Sequence, residues 1–142
     1  MPYLTKQYKF CAAHRYWNKK WTAKKNKSVF ADDVKIHGHN YKLDITISGP
    51  INSDSGFIMD IREINKIVKR KVLNSLDHSQ IDKDIPWFKN RQPSTENLVV
   101  FIWKQIEAYF SNPIILYSIK LRETETIYTT YYGPGKHTHE KK

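Results

Sequence analysis

Alternation of apolar and polar residues predicts two β-strands in the first third of the chain. Between residues 41 and 47 every second residue is apolar: Tyr41, Leu43, Ile45 and Ile47. The segment Pro2–Ala13 alternates in the same way, and only Lys6 interrupts its apolar face. A strand with one buried face produces this pattern, because successive side chains point to opposite sides of a sheet.

Three histidines share the parity of these apolar faces. His14 directly follows the first strand, and His37 and His39 precede Tyr41 in the second. If the two strands pair antiparallel, the three imidazoles meet at one rim of the sheet. Three neutral imidazoles leave the fourth tetrahedral position of zinc open, as a catalytic zinc site requires. The pattern alone leaves open the alternative that these are strand histidines without a ligand role.

Apolar residues at helical spacing predict two helices after the second strand. Asp60 is the predicted N-cap of the first helix, and Ser94 or Thr95 is that of the second. The apolar positions of the first are Ile61, Ile64, Ile67, Val68 and Val72. Those of the second are Val99, Ile102, Trp103, Ile106 and Phe110. Between the helices, Leu73–Pro86 has no clear period and is predicted to be irregular.

Two further strands are predicted near the end of the chain. Ile114–Glu123 alternates, and the face that carries Ile119 and Leu121, with Ile115 and Tyr117, extends to Glu123. Thr126–Tyr132 is rich in Thr and Tyr and predicts the fourth strand. Arg15–Phe30 lacks a period and is predicted to be a long loop. The order ββααββ predicts an α+β domain, in which two helices cover one face of a four-stranded antiparallel sheet.

Length and composition favour a single folded domain. The chain has 142 residues, and 39% of them are hydrophobic. We expect one domain over residues 1–133 and a flexible basic tail over 134–142, whose His137 and His139 face solvent. No apolar run reaches the roughly 18 residues that span a bilayer, and a single cysteine excludes an internal disulfide framework. A cytoplasmic protein without a membrane partner is the simplest expectation.

The net charge of +10 is concentrated in part between Lys19 and Lys27, where lysines are interleaved with Trp17 and Trp21. Basic residues with aromatic neighbours can bind nucleic acid by phosphate contacts and stacking. The same stretch can steer a small polyanion such as a triphosphate, or it can be a solvated loop.

Five short motifs in this order resemble those of the 6-pyruvoyl-tetrahydropterin synthase family, which includes the bacterial 6-carboxy-tetrahydropterin synthases. The motifs are Phe10–Arg15, His37–Tyr41, Leu76–His78, Pro93–Asn97 and Glu123–Thr124. The resemblance implies the tunnelling fold, or T-fold, in which sheets of three subunits close a barrel and two trimers stack as a homo-hexamer. It also implies Zn²⁺ on His14, His37 and His39, and 7,8-dihydroneopterin triphosphate as the substrate in pterin or queuosine-precursor biosynthesis. A nucleic-acid partner is not expected.

The resemblance also implies roles for other residues. Glu123 matches the carboxylate that anchors the pterin, a task that suits a group accepting two hydrogen bonds. Thr95 and Glu96 match the segment that lines the same pocket, although capping the second helix is a sufficient reason for Thr95. Asp77 and His78 match the catalytic pair, in which a carboxylate orients an imidazole for proton transfer.

The chain departs from the family at the catalytic cysteine, which usually lies a few residues before the second-strand histidines. Asp33 lies four residues before His37, where the bacterial members carry that cysteine, and Asp32 is adjacent. Cys11 has the opposite parity to His14, so we do not expect it to act as a substitute. Three interpretations remain: a lyase that uses Asp33 or Asp32, an aldolase-type variant that releases 6-hydroxymethyl-dihydropterin, and a non-catalytic pterin- or nucleic-acid-binding homologue. The second arises because one group within the family carries Glu at this place.

Overall fold

The computed structural model describes residues 1–135, which form one five-stranded sheet and a set of helices. The strands are β1 (Tyr3–His14), β2 (His37–Ser48), β3 (Ser79–Gln80), β4 (Ile115–Arg122) and β5 (Tyr128–Tyr131). The α-helices are α1 (Ala23–Phe30), α2 (Ile61–Val68), α3 (Asn74–Leu76), α4 (Ile81–Asp84) and α5 (Thr95–Ile106). The segment Lys69–Leu73 is π-helical and joins α2 to α3. His137 and His139 lie outside the described residues.

The sheet has the strand order β3-β1-β2-β4-β5. Strands β1 and β2 pair antiparallel in a register that places His14 opposite His37 and Leu4 opposite Ile47. The four predicted strands are confirmed, although β5 is shorter than the predicted Thr126–Tyr132. The predicted count of four strands is wrong, because β3 pairs parallel with the end of β1 at Ala12 and Ala13.

Helices α2 and α5 cover one face of the sheet, as the sequence predicted. Side chains from β1, β2 and β4 and from both helices form the core, among them Tyr41, Leu43, Ile45, Val68, Leu98, Ile102 and Leu121. The predicted N-caps are present, since Asp60 accepts a hydrogen bond from Arg62 N and Ser94 accepts one from Asn97 N. None of the helices within residues 1–135 is both long and apolar enough to cross a membrane.

Two predictions about connecting segments are wrong. Arg15–Phe30 is not a loop throughout, because α1 begins after the N-cap Thr22, whose side chain accepts a hydrogen bond from Lys25 N. Only one residue of α1, Asn26, is buried, so its sequence carries no apolar stripe that could have revealed it. Leu73–Pro86 is also more regular than predicted, since it contains α3, β3 and α4.

A β-bulge in β4 reverses part of the predicted face of that strand. Thr46 pairs with Ser118 but the next residue of β2, Ile47, pairs with Leu116, so Tyr117 is the extra residue. Ile119 and Leu121 are buried as predicted, but Ile115 and Tyr117 are exposed and Leu116 is buried instead. The bulge lies on the N-terminal side of Ile119, so the predicted face still leads to Glu123.

Candidate metal centre and active site

Three histidines and one glutamate meet at the rim of the sheet. His14 ends β1, His37 and His39 begin β2, and Glu123 directly follows β4. One potential ligand atom of each residue lies within 4.8 Å of those of the other three. The imidazole centroids of His14 and His37 are 4.6 Å apart, and both are 5.1 Å from that of His39. The parity of the two strands therefore predicted this convergence correctly.

Backbone carbonyls orient two of the imidazoles. His14 Nδ1 lies 2.7 Å from the carbonyl oxygen of Pro93, and His37 Nδ1 lies 2.8 Å from that of Lys35. A carbonyl oxygen only accepts, so Nδ1 carries the proton in both residues and a neutral ring leaves the Nε2 lone pair free. Ligating histidines typically make this second hydrogen bond, which fixes the tautomer and the orientation of the ring.

The free lone pairs fit a cation at the centre of the cluster. His14 Nε2 and His39 Nε2 are buried and have no hydrogen-bond partner among residues 1–135. Glu123 Oε1 lies 3.3 Å from the first and 2.8 Å from the second. A lone pair that faces a carboxylate oxygen at this distance is repelled unless a proton or a metal ion lies between them. Nitrogen ligands with an optional carboxylate are a donor set that suits zinc.

The charges of the cluster are coupled. The side-chain contact with His14 lowers the pKa of Glu123, and the charges of His39 and His37 lower it further. Burial of Glu123 opposes this effect but does not cancel it. Burial lowers the pKa of His39, an effect that the Glu123 carboxylate opposes. Both effects favour a neutral His39 next to an ionised Glu123, which are the protonation states that metal binding requires.

Two tyrosines at the cluster were not recognised in the sequence. The ring of Tyr16 lies 5.1 Å from that of His14, and burial followed by the charges of Glu123, Glu96 and Asp33 raises its pKa. The hydroxyl of Tyr41 is buried without a hydrogen-bond partner among the described residues, and burial followed by Glu123 raises its pKa. The sequence could have placed Tyr41 at the cluster, because Tyr41 has the same parity as His39 in β2. Tyr16 lies beyond the end of β1, so strand parity could not place it there.

Asp33 lies next to the cluster and Asp32 does not contact it. A 3₁₀ turn over Ala31–Val34 follows α1, and Ala31 enters it with a positive φ of 51°. The Asp33 Oδ1 atom lies 3.8 Å from His37 Nε2, and its side chain is about 61% exposed. Of the two adjacent carboxylates that the sequence offered, the structure brings Asp33 to the histidines.

Asp77 and His78 lie on the other side of the sheet from the histidine cluster. Asp77 Oδ1 accepts a hydrogen bond from Cys11 N, and His78 N donates to the carbonyl oxygen of Cys11. His78 lines an open pocket with Cys11 and Asn40, whose side chains point away from the face that carries His14. Asp77 Oδ2 lies 3.1 Å from His78 Nδ1, and the hydrogen bond from Cys11 N lowers the pKa of Asp77. The pair is therefore intact but faces away from the cluster of its own chain.

Thr95 and Glu96 open helix α5 beside the segment that holds His14. The Thr95 hydroxyl is buried, donates to Glu96 Oε1 at 2.8 Å and lies 2.9 Å from the Thr129 hydroxyl of β5. Pro93, whose carbonyl oxygen orients His14, is two residues upstream. The N-terminus of α5 and the rim of the sheet thus form one continuous wall.

A mostly antiparallel sheet with helices on one face and a histidine cluster at its rim define an α+β enzyme of the T-fold class. Residues 3–134 match the family described as 6-pyruvoyl tetrahydropterin synthase, and the chain belongs to that family. It is therefore a lyase of pterin biosynthesis.

Similar proteins cover nearly the whole chain. A 6-pyruvoyl tetrahydrobiopterin synthase of Dictyostelium discoideum is 37% identical over 130 residues, which is 92% of this chain and 95% of that protein. The structure of the Caenorhabditis elegans 6-pyruvoyl tetrahydropterin synthase is 31% identical with a TM-score of 0.84, and the match covers 94% of this chain and 97% of that one. A Plasmodium vivax 6-pyruvoyltetrahydropterin synthase, solved with a catalytic glutamate replaced by alanine, shares 20% identity, a TM-score of 0.64 and 93% and 97% coverage, which supports the fold alone.

Proposed function

We propose that this chain is a zinc-dependent lyase that acts on the side chain of 7,8-dihydroneopterin triphosphate. The observation that carries the proposal is the convergence of His14, His37 and His39, two of them oriented by backbone carbonyls so that Nε2 is free. Family membership supports the pterin substrate.

His14, His37 and His39 are the residues that would hold the ion. The chemistry that zinc supplies at such a site, when bound, is polarisation of substrate oxygens and a lower pKa of the hydroxyl groups. The fixed Nδ1 hydrogen bonds of His14 and His37 would keep the ligand geometry in place during turnover.

Glu123, with Thr95 and Glu96, would bind the pterin ring. Glu123 is ionised and only partly buried, and one of its oxygens is directed to the histidines. A carboxylate in this state can accept two hydrogen bonds from the N–H groups of a pterin. Thr95 and Glu96 lie in the wall that continues from this rim and would complete the pocket.

Asp33 would accept the proton that relatives remove with a cysteine. Its carboxylate is 3.8 Å from His37 Nε2 and projects from a turn beside the site. The geometry favours Asp33 over Asp32, which has no contact with the cluster.

The Asp77–His78 pair would act in the site of a neighbouring copy of the chain. His78 is about 82% exposed on the face opposite the cluster. It also has a positive φ of 63°, a backbone conformation that costs energy in a non-glycine residue and that is concentrated at functional sites. A homo-hexamer with sites at subunit interfaces would bring this pair to the histidines of another subunit. We further propose one domain over residues 1–133 and a cytoplasmic location, consistent with a single, unpaired Cys11.

Two of the products open to this family differ in which bond of the substrate side chain is broken. Elimination of the triphosphate with rearrangement of the side chain gives a pyruvoyl pterin. Retro-aldol cleavage between the first and second side-chain carbons gives 6-hydroxymethyl-dihydropterin and releases the other two carbons, with the triphosphate, as an aldehyde. The carboxylate of Asp33 in place of a thiolate favours retro-aldol cleavage, because the variant family members that release the hydroxymethyl product carry Glu at this place. Queuosine-precursor formation is a third route that the family contains.

The test is to incubate the zinc-loaded protein with 7,8-dihydroneopterin triphosphate and to identify the released pterin by mass spectrometry. Asp33→Asn should lower the rate by about a hundredfold or more, as expected for loss of a general base. Asp32→Asn is the matched control and should leave the rate within about twofold of the wild type. An unchanged rate in Asp33→Asn together with loss of activity in His78→Ala would show that Asp33 is not the base. Binding of the pterin without any product would favour the non-catalytic homologue.

A further inference from the structure

A basic groove runs beside the histidine cluster. It has a volume of about 1180 Å³ and lies between the segment that follows β1 and the segment that connects α4 to α5. Its basic lining residues are Arg15, Lys19, Lys20, Lys83, Lys89 and Arg91, and one carboxylate, Asp82, also lines it. None of the six basic side chains forms an ion pair with another residue of the described range 1–135.

The groove lies next to the segments that carry the histidine cluster, although none of His14, His37, His39 and Glu123 lines it. Arg15 and Ile36, which line it, are the sequence neighbours of His14 and His37. Pro93 also lines it, and the carbonyl oxygen of that residue holds His14 Nδ1. Three lining residues are therefore linked to the cluster, two of them through the chain and one through a hydrogen bond.

Specific contacts hold the two walls of the groove in place. Gln92 accepts a hydrogen bond from Trp17 N and donates one to the carbonyl oxygen of Trp17, so it joins the walls. Asp82 is occupied as an acceptor, since it binds Arg15 N and Gln80 Nε2. The only carboxylate of the lining is thus engaged in structure, while the basic side chains remain available.

Two arginines of the groove are held by tryptophans. The guanidinium of Arg15 lies 5.0 Å from the ring centre of Trp17, and its Nε atom is buried without a hydrogen-bond partner in residues 1–135. The guanidinium of Arg91 lies 4.1 Å from the ring of Trp87, and its Nη1 donates to the carbonyl oxygen of Trp87. A guanidinium fixed in this way loses little entropy when it binds a planar or tetrahedral oxyanion, and it retains free donors.

The structure separates the lysine-rich stretch into two parts. Lys19 and Lys20 line the groove, whereas Lys24 and Lys27 lie on α1, are exposed and are not part of the lining. The expectation that the whole stretch captures a polyanion is therefore narrowed to its first two lysines. Lys83, Lys89 and Arg91, which the sequence did not single out, supply the opposite wall.

We infer that this groove binds the phosphate chain of the substrate and positions its side chain at the histidine cluster. The inference rests on the proposed function for the identity of the substrate. The chemistry that it requires is an oligophosphate, because several unpaired cations, two of them arginines, surround one open space. A small substrate with an attached oligophosphate fits the position of the groove, which lies next to the segments that carry the cluster.

The first test measures binding of inorganic tripolyphosphate to the full chain by calorimetry, independently of turnover. The double variant Lys83→Ala/Lys89→Ala and the single variant Arg91→Gln should each weaken binding by about tenfold or more. All three side chains are exposed, so the fold should tolerate these changes. The matched control Lys24→Ala/Lys27→Ala removes the same charge outside the groove and should change affinity by no more than about twofold.

The second test compares 7,8-dihydroneopterin triphosphate with unphosphorylated 7,8-dihydroneopterin. The groove variants should raise KM for the first by about tenfold and leave KM for the second unchanged. Absence of tripolyphosphate binding, or an equal loss in the control variant, would overturn the inference. Tight binding of single-stranded RNA that tripolyphosphate does not displace would also overturn the inference. If neither pterin is turned over but tripolyphosphate binds as expected, the groove stands and the proposed function fails.

Discussion

His14 and Pro93 are joined by a hydrogen bond of 2.7 Å between an imidazole Nδ1–H and a main-chain carbonyl oxygen. The two residues are 79 positions apart in the sequence, and the contact joins the end of β1 to the segment that enters α5. Because His14 is fully buried, this contact fixes its ring in one orientation. The position of the candidate metal ligand is therefore coupled to the segment that carries Thr95 and Glu96.

Removal of any one histidine of the cluster should lower zinc affinity. We expect His14→Ala, His37→Ala and His39→Ala to lose at least about a hundredfold in affinity, because changes that only affect the orientation of ligands already cost 10–100-fold. Competition with a chelator of known affinity measures this quantity. His78→Ala is the control, since His78 lies on the opposite face of the sheet, and it should retain the zinc of the wild type while activity falls. Full zinc retention in two of the three cluster variants would contradict the ligand assignment.

Glu123→Gln should weaken pterin binding and leave the zinc content unchanged. A glutamine keeps the shape of the side chain but loses the charge that accepts two hydrogen bonds, so we expect affinity for the pterin product to fall by about tenfold or more. Fluorescence titration with the pterin and metal analysis of the same sample give both values. A loss of zinc would instead identify Glu123 as a fourth ligand, which its 2.8 Å distance from His39 Nε2 makes an informative alternative.

Asp33→Glu should raise the rate of 6-hydroxymethyl-dihydropterin release. The added methylene extends the carboxylate from an exposed turn toward the site. Glutamate is the residue that the family resemblance places here in the hydroxymethyl-releasing members, and aspartate is one carbon shorter. We expect an increase of several-fold, and chromatography of the products against standards measures it. Asp33→Cys is the complementary variant and should shift the product toward the pyruvoyl pterin. An unchanged product ratio in both variants would show that this position does not choose the reaction.

Mixing two inactive variants should restore activity if sites are shared between subunits. Asp33→Asn and His78→Ala each remove one group of the proposed site, but a mixed oligomer contains sites with both wild-type groups. We expect activity after the two are unfolded and refolded together, and none after each is refolded alone. Sedimentation of the wild type should show a hexamer, and a monomer near the chain mass of 16.9 kDa would exclude shared sites.

The Asp77 carboxylate should stabilise the folded chain at neutral pH and lose this effect in acid. The hydrogen bond from Cys11 N holds the pKa of Asp77 below its usual value of 3.8. Its contribution is therefore complete above pH 3.8 and disappears as the pH falls through the lower, folded-state pKa. Asp77→Asn should lower the free energy of unfolding at pH 7 by less than about 1 kcal/mol, since the group is partly exposed, and the difference should shrink as the pH falls below 3.8.

Urea unfolding at fixed protein concentration measures this difference. Asp54→Asn is the matched control, because it removes an exposed carboxylate that accepts no hydrogen bond from another residue of the described range. The same pH dependence in both variants would point to net charge rather than to the contact with Cys11.

The sequence predicted the parts of the fold that depend on local alternation. Tyr41 and the residues on its parity are buried, and the histidines at the ends of the two strands meet as their parity required. The prediction failed where long-range pairing changes the parity, as at Tyr117, because the bulge depends on how β4 pairs with β2. It also failed at α1, whose formation depends on the Thr22 cap rather than on an apolar face.

The sequence could not predict which face Asp77 and His78 occupy. Their position depends on the two-residue strand β3 and on hydrogen bonds to Cys11, neither of which leaves a periodic signal. The wall formed by Lys83, Lys89 and Arg91 was missed for a similar reason. These residues are scattered over an irregular segment, and long-range contacts such as those of Gln92 with Trp17 and of Asp82 with Arg15 bring them opposite Lys19.

The main-chain hydrogen bond of Asp33 determines how freely the side chain at this position can be exchanged. Tyr16 N donates to the carbonyl oxygen of Asp33 at 2.9 Å, so backbone atoms anchor the turn, while the Asp33 side chain is about 61% exposed. A substitution at this position would change the proposed base without removing the main-chain hydrogen bond that anchors the turn. The turn can therefore accept a thiol, a short carboxylate or a long carboxylate at this position while its main-chain anchor is kept, so we expect such exchanges to cost little stability.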